Sequence, residues 1–124
     1  LGKPTEIVRG GDEIDDMVYI KDIANSICLA CFAPNLKHSI FNIGTGEGHT
    51  LGDLANAIKK IYPKAVFNIG PGRDITGFGP VWYVMDISRA REELGYTPKF
   101  SLEEGVKDYI ETMKYLVIQP TYSP

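Results

Sequence analysis

Residues 41–51 read FNIGTGEGHTL, with a glycine at every second position from 44 to 48. A glycine-rich turn between a strand and a helix is where many proteins hold a phosphate. A dinucleotide fingerprint needs Gly-x-Gly-x-x-Gly, and counting from Gly44 the third glycine position is occupied by His49. The P-loop pattern also fails, because no Gly-Lys-Ser/Thr follows. The segment therefore predicts a tight strand-to-helix connection. The alternative is a direct ligand loop, in which N–H groups near Thr50 meet an anion.

Apolar patterns around this loop predict alternating strands and helices. Short runs rich in β-branched and aromatic residues predict strands at 17–20, 39–44, 65–69 and 82–85. Helical periodicity predicts a largely apolar helix at 23–33, an amphipathic helix after Thr50, a short helix ending at Leu94 and a long one after Ser101. With so few polar residues, the helix at 23–33 is expected to be covered on most sides.

Residues suited to end helices stand at the predicted boundaries. Thr50 with Asp53 imitates a capping box, and Ser101 with Glu104 forms one. The remaining boundary residues are Asp22 and either Asp86 or Ser88 as N-caps, Pro34 and Pro63 as stops, and Gly95 as a left-handed end. These signals predict where helices begin and end without any tertiary information.

The 124 residues, 44% hydrophobic and 23% charged, predict one globular domain. A net charge of −3 argues against nucleic acid and anionic membranes as partners. Cys28 and Cys31 form a C-x-x-C pair inside a predicted helix, without further zinc ligands, and are interpreted as small apolar residues on a buried face. Free thiols favour a cytoplasmic location. The chain opens at Leu1 in turn-rich sequence and is expected to be a piece of something longer.

Three segments together resemble one family: DDMVYIKDIANSI at 15–27, FNIGTGEGHTLGDLANAI at 41–58 and VMDISRAREELGYTPKFSLEEGVKDYIE at 84–111. Their order is similar to the C-terminal landmarks of the NAD-dependent nucleotide-sugar epimerases and dehydratases, the extended short-chain dehydrogenases/reductases. The resemblance implies an α/β fold, the C-terminal lobe of such an enzyme, with about four helices and a small, mostly parallel or mixed sheet. Residues 1–117 would form the substrate-binding domain fragment and 118–124 a flexible tail.

The same resemblance implies that catalysis lies elsewhere. The family's cofactor loop belongs to its N-terminal Rossmann half, and its Tyr-x-x-x-Lys pair does not occur in this sequence. We therefore expect no catalytic, cofactor-binding or metal-binding residue here. The parent enzyme would use NAD or NADP, and this fragment would bind neither. The implied partners are the missing Rossmann half, a nucleoside diphosphate-sugar and further copies in a homo-oligomer.

Four residues are candidates for substrate contact: Arg73, Asn42, Tyr19 and Trp82. Arg73 occupies a glycine-rich loop comparable to one in which the family carries a phosphate-binding arginine. The guanidinium fork suits phosphate oxygens. The alternative for Arg73 is a solvated arginine paired with Asp74. The alternatives for the others are structural: strand packing for Tyr19, a hydrogen bond within its own turn for Asn42, and core packing for Trp82.

Other residues argue against an ordinary site for a nucleotide-sugar. In the family that this sequence resembles, another arginine usually opens an Arg-Asp-aromatic motif; here that position is Asp15, which would remove the expected contact or reverse its sign. Phe78 is interpreted as core, and His38 and His49 as surface or capping residues. The leading hypothesis is the substrate-binding part of an NAD(P)-dependent epimerase or dehydratase, inactive alone. The alternative is a non-catalytic remnant serving oligomerisation or regulation. In either case the 39–44 strand is expected to lack a neighbour, which favours self-association.

Overall fold

A computed structural model describes residues 3–73 and 82–116. Within them lie four helices: α1 (Ile20–Phe32), α2 (Leu51–Ile61), α3 (Ser88–Leu94) and α4 (Leu102–Tyr115). The strands are β1 (Thr5–Ile7), β2 (Ile14–Asp15), β3 (His49–Thr50), β4 (Phe67–Ile69) and β5 (Trp82–Tyr83). The predicted α/β class with about four helices is confirmed. The expectations for Asp74, Phe78 and the tail 118–124 fall outside the described residues.

The strands form two small groups that mix parallel and antiparallel pairing. β1 pairs with β4 in parallel, with Thr5 opposite Phe67. β2 lies between β3 and β5, antiparallel to β3 and parallel to β5. None of β1, β2 and β3 was predicted, because strands of two or three residues leave almost no periodicity to detect. The parallel pairing of β2 with β5 joins distant parts of the chain on one surface.

Local capping signals produce the predicted starts of α2 and α4 and the predicted end of α3, whereas the N-cap of α3 is Ile87, without a side-chain cap, and not Asp86 or Ser88. In α2 the Thr50 side chain accepts a hydrogen bond from the N–H of Asp53, whose carboxylate in turn accepts from the N–H of Thr50. Ser101 and Glu104 make the same reciprocal pair at α4. Gly95 ends α3 in the left-handed region at φ 66°. These predictions are confirmed because each one depends on neighbours within a few residues.

The predicted strand at 17–20 is wrong, since α1 begins at Ile20. Tyr19 is the extended N-cap residue, and its carbonyl accepts from the N–H of Asp22 and of Ile23. Asp22 is therefore not the N-cap but a residue of the first turn, where a negative charge favours the helix N-terminus. The β-branched and aromatic side chains that suggested a strand serve the start of a helix instead.

The predicted strand at 39–44 is also wrong, because the segment has no partner strand within residues 3–73 and 82–116. It is extended without a ladder, with Phe41 and Ile43 packed on the core and Ile40 73% exposed. Two side chains of α3 hold this segment. The Arg89 guanidinium donates to the Ile40 carbonyl at 3.1 Å, and the Glu93 carboxylate accepts from the two N–H groups that come shortly before the segment. A strand pattern without a partner therefore remains an unpaired edge.

The core is built around α3 and the residue after it. Its buried members are Ile87, Ala90, Leu94 and Tyr96, and α1 packs onto them with Leu29, Ala30 and Ala33. The expectation that α1 is covered on most sides is wrong, because only this one face meets the rest of the described chain. Cys28 and Cys31 are both exposed, not buried as interpreted from the sequence.

Candidate functional site

The glycine loop between positions 44 and 48 is organised by one carboxylate, that of Asp16. Its Oδ1 accepts from the N–H and the hydroxyl of Thr45 at 2.7 and 2.6 Å. Its Oδ2 accepts from the N–H of Gly46 at 2.9 Å and of Met85 at 3.1 Å. These hydrogen bonds lower the pKa of Asp16 although burial alone would raise it. The loop thus holds an anion that belongs to the chain itself.

Gly44 is required by this arrangement. A Cβ at Gly44 would lie 2.9 Å from both the Asp16 Cγ and the Met85 Cβ, closer than carbon atoms approach. The glycine therefore makes room for the carboxylate, and the N–H of Thr50 is taken by Asp53 at 2.8 Å. A helix N-terminus binds a phosphate through N–H groups such as these, and here Asp16 and Asp53 accept from those of Thr45, Gly46 and Thr50. The tight connection is the interpretation that the contacts favour.

A buried polar layer lies beneath the loop. The Tyr96 hydroxyl donates to the Gly44 carbonyl at 2.9 Å, and burial together with the nearby Asp22 and Asp16 raises the pKa of Tyr96. Asp22 is fully buried and accepts from the N–H of Lys99 at 3.0 Å and of Phe100 at 3.2 Å. The α3–α4 connection is thereby tied to α1. Among the described side chains, every buried polar atom has a hydrogen-bond partner.

Asp15 lies on the central strand β2, in register with His49 on β3 and Tyr83 on β5. Residues opposite each other on neighbouring strands share a face of the sheet, so these three side chains share one. Burial, followed by repulsion from Glu13, raises the pKa of Asp15. The strand therefore presents a carboxylate in an unfavourable environment at the position where the resemblance implies a phosphate-binding arginine.

Arg73 is exposed at the end of a segment that is held firmly. The preceding Gly72 donates its N–H to the Asp12 carboxylate at 2.8 Å and accepts from the Asp12 N–H at 2.9 Å. Two further backbone bonds, from Gly10 to the Pro71 carbonyl and from Gly11 to the Gly70 carbonyl, join the two turns. Arg73 thus directly follows a turn whose backbone is held by hydrogen bonds.

Tyr19 contacts α4 rather than an open surface. Its hydroxyl donates to the Asp108 carboxylate at 2.5 Å, and its ring lies 4.9 Å from that of Phe100. Burial and Asp108 raise the pKa of Tyr19 to about 12. Lys21 pairs with the same carboxylate at 2.6 Å. A tyrosine used as a base needs a lowered pKa, so this environment suits a neutral structural phenol.

The remaining two candidates for substrate contact are Asn42 and Trp82. Asn42 is exposed, and its amide donates to the Asp86 carbonyl at 3.3 Å rather than within its own turn. Together with Ile40 and Arg89 these residues line a shallow cleft of about 120 Å³. The backbone of Trp82 pairs with β2 opposite Ile14. The Trp82 side chain lies outside what the structure describes.

A larger cleft of about 320 Å³ opens between the N-terminal ends of α2 and α4. Its polar lining residues are Glu47, His49, Asp53, Asn56, Ser101 and Glu103. His49 Nε2 lies 3.9 Å from the Glu47 carboxylate, and Asp53 is already committed to its helix cap. The excess of carboxylates repels a diphosphate, so this cleft does not fit that group. His38 lies apart from it and pairs with Glu93 on α3.

Sequence reasoning missed the two aspartates that organise this region. Asp16 stands within the motif at 15–27, and the structure places it directly after β2. Asp22 was predicted to be the N-cap of α1, a position that Tyr19 occupies instead. Their partners lie far along the chain, so no local pattern identifies them. Among residues 3–73 and 82–116, no three His, Cys, Asp or Glu side chains are grouped to hold a metal ion. No helix in those ranges has the length and apolar character to cross a membrane.

Sequence comparison finds relatives among nucleotide-sugar enzymes, whereas no protein-family profile matches the chain. The ADP-L-glycero-D-manno-heptose-6-epimerase of Fusobacterium nucleatum is 32% identical over 123 residues, covering 92% of this chain and 36% of the relative. The dTDP-4-dehydro-6-deoxyglucose reductase of Escherichia coli is 31% identical over 113 residues, covering 90% and 34% respectively. The chain therefore spans about a third of the length of the curated relatives it matches.

Solved structures give the same result. The UDP-glucuronic acid 4-epimerase of Bacillus cereus, in complex with UDP-glucuronic acid and NAD, superposes with a TM-score of 0.77 at 28% identity. That match covers 93% of this chain and 36% of the epimerase. By sequence and by fold, the chain is similar to NAD-dependent nucleotide-sugar epimerases and dehydratases of the extended short-chain dehydrogenase/reductase family, and a match to about a third of their length fits a C-terminal portion.

Proposed function

We propose that this chain supplies the part of an NAD(P)-dependent epimerase or dehydratase that binds the nucleoside diphosphate of a nucleotide-sugar. It acts together with a Rossmann portion like the one that makes up the remaining length of its relatives. That portion carries the cofactor and the proton-transferring residues. The chain by itself transfers no hydride.

The observation that carries this proposal is Arg73, an exposed guanidinium beside a turn fixed by four backbone and side-chain bonds. A guanidinium donates two parallel hydrogen bonds to phosphate oxygens, and a fixed base lowers the entropy cost of holding it there. The related epimerase structures bind UDP-glucuronic acid and, in Thermotoga maritima, UDP-glucose. Asn42, Tyr19 and Trp82 remain proposed secondary contacts, and the hydrogen bond of Tyr19 to Asp108 gives that residue a structural role beside any contact with ligand.

Isothermal titration calorimetry of the parent enzyme, which contains this chain together with its Rossmann portion, with UDP-glucose and with a dTDP-sugar tests the proposal. We expect Arg73→Ala to weaken binding about tenfold or more, which corresponds to about 1.4 kcal/mol. Arg91→Ala is the matched control, because Arg91 is an equally charged, exposed side chain on α3. Equal affinity of both variants and the unmodified chain would contradict a role for Arg73.

A non-catalytic remnant serving oligomerisation or regulation is the second candidate. Asp15 favours it, because a carboxylate with a raised pKa on the central strand opposes a diphosphate. A folded parent enzyme that shows no calorimetric binding of any sugar nucleotide would support this candidate and reject the first one.

A further inference from the structure

The segment that leads into Arg73 is joined to a second turn, far from it in sequence. Residues 10–12 follow β1 and residues 70–72 follow β4, so these paired turns continue the parallel pairing of the two strands. Gly10, Gly11 and Asp12 donate their N–H groups, at 3.3, 2.9 and 2.9 Å, to the carbonyls of Pro71, Gly70 and Gly72 respectively. The backbone directly before Arg73 is therefore held along its length.

The two backbones approach each other too closely for side chains between them. A Cβ at Gly70 would lie 1.9 Å from the Val8 carbonyl oxygen, and a Cβ at Gly11 would lie 2.7 Å from the Gly70 carbonyl oxygen. Glycine is required at both positions, because neither contact could be relieved by turning a side chain. Contacts between backbones contain no rotamers, so the paired turns leave little freedom to the chain that enters Arg73.

Asp12 adds a side chain to this arrangement. Its carboxylate oxygen Oδ2 accepts from the N–H of Gly72 at 2.8 Å, and its own N–H donates to the Gly72 carbonyl at 2.9 Å. Asp12 thus holds both backbone polar groups of the residue before Arg73. Gly72 has a φ of 100°, a conformation that other residues rarely adopt, and the two hydrogen bonds fix it there.

We propose that Asp12 is a positioning residue: by holding Gly72, it sets the place from which the Arg73 guanidinium reaches the diphosphate of a nucleotide-sugar. This inference rests on the proposed function, in which Arg73 binds that group. Two parallel hydrogen bonds to phosphate oxygens form only in a narrow range of orientations, so a fixed start of the side chain reduces the entropy lost on binding. Asp12 acts through Arg73 and does not touch the diphosphate, because a carboxylate repels phosphate oxygens.

The role assigned to Asp12 depends on a hydrogen-bond acceptor and not on a negative charge. In Asp12→Asn, the amide oxygen can still accept from the N–H of Gly72, and the charge that opposes a diphosphate is gone. In Asp12→Ala, the acceptor is lost together with the charge. The two substitutions therefore separate positioning from electrostatics.

Isothermal titration calorimetry of the parent enzyme with UDP-glucose tests the role of Asp12. We expect Asp12→Ala to raise the dissociation constant about fivefold or more, because the approach to Arg73 is loosened. Asp12→Asn should leave the dissociation constant within about twofold of the unmodified value, or lower it. When Arg73 is already alanine, Asp12→Ala should change the dissociation constant by less than about twofold, since the residue acts through Arg73.

Glu6→Ala is the matched control. The exposed Glu6 carboxylate accepts from the Asn68 side-chain amide at 2.6 Å and so also joins β1 to β4, but it does not contact residues 70–72. We expect this variant to bind UDP-glucose as the unmodified enzyme does. Because Asp12 is exposed and the backbone bonds of the paired turns remain, Asp12→Ala should retain the fold, which circular dichroism checks.

Four outcomes overturn the role of Asp12. These are an unchanged affinity of Asp12→Ala, an equal loss in Asp12→Asn, a loss of full size when Arg73 is already alanine, and an equal loss in Glu6→Ala. If Arg73→Ala weakens binding and Asp12→Ala does not, the role of Asp12 is rejected and that of Arg73 stands. If Arg73→Ala has no effect, both are rejected.

Discussion

At the residue scale, neighbouring aspartates of β2 and the turn after it have opposite roles. Asp16 accepts four hydrogen bonds that join the glycine loop to Met85, and these bonds lower its pKa. Asp15 accepts no comparable hydrogen bond from residues 3–73 and 82–116, and its pKa is raised by burial and by Glu13. One carboxylate therefore stabilises the fold in its charged form, and the other is stabilised in the fold only when neutral.

Asp16→Asn is expected to lower the free energy of unfolding by about 2 kcal/mol at neutral pH, because an amide nitrogen would face the N–H groups of Gly46 and Met85. A lowered folded-state pKa gives stability that is present above the unfolded pKa of about 3.9 and is lost as the pH falls through the folded pKa. Urea unfolding at neutral and acid pH measures this. The difference between the two proteins should shrink below about pH 4.

Asp15→Asn is the matched control and has the opposite expected sign. A raised folded-state pKa means that the ionised carboxylate costs stability above that pKa, so the amide should increase the urea midpoint at neutral pH by a smaller amount. The gain should vanish at acid pH, where Asp15 is protonated in both states. A loss of stability equal to that of Asp16→Asn would show that the two positions are not distinguished by their surroundings.

At the element scale, two helical glycines differ in what surrounds them. A Cβ at Gly52 in α2 would meet one atom, the Thr50 hydroxyl oxygen at 3.4 Å, an ordinary contact. A Cβ at Gly105 in α4 would lie 3.2 Å from the Cβ and Cγ of Tyr19. Tyr19 has little room to move, because its hydroxyl is bound to Asp108 and its ring lies against Phe100. Gly105 therefore sets how closely α4 approaches the start of α1.

Gly52→Ala is expected to raise the free energy of unfolding by about 0.5–1 kcal/mol, because alanine loses less backbone entropy in a helix. The same change at Gly105 should give no such gain, since the contact with Tyr19 offsets the propensity. Urea denaturation of both variants measures the difference. An equal gain at the two positions would show that Tyr19 does not restrict α4.

At the scale of the whole molecule, the core covers one side of several elements and leaves other sides open. Ile87, Ala90, Leu94 and Tyr96 hold α1, α3 and the segment 39–43 together. The outer face of α1 and the edge at 39–43 are exposed, and Val8, Phe32, Tyr115 and Ile40 are each at least 73% exposed. Such apolar surface favours association with another polypeptide.

Hydrogen exchange should distinguish the edge from the helices. We expect the amides of residues 39–43 to exchange about tenfold faster or more than those of residues 55–61 in α2, because no backbone carbonyl in the described chain accepts from them. Mass spectrometry of peptic fragments measures this. Equal protection of the two segments would indicate that a strand pairs with 39–43, either from a second copy or after rearrangement.

The sequence by itself determined the features that depend on near neighbours. The capping boxes at Thr50 and Ser101 and the left-handed end at Gly95 each involve residues no more than a few positions apart, so their chemistry can be read directly. The ordered motifs indicated the family of enzymes that this chain resembles, and the failure of the glycine fingerprint at His49 predicted a tight connection there.

Only the tertiary structure decided which groups meet over long separations. Asp16 contacts Thr45 and Met85, 29 and 69 residues away, and no pattern within a short window contains that information. The same is true of exposure: the outer face of α1 and the strand-like residues 39–43 are suited to burial and pairing, yet no part of the chain that the structure describes covers that face or pairs with that segment. Side-chain preference states what a segment is suited to contact, whereas topology determines whether the contact exists.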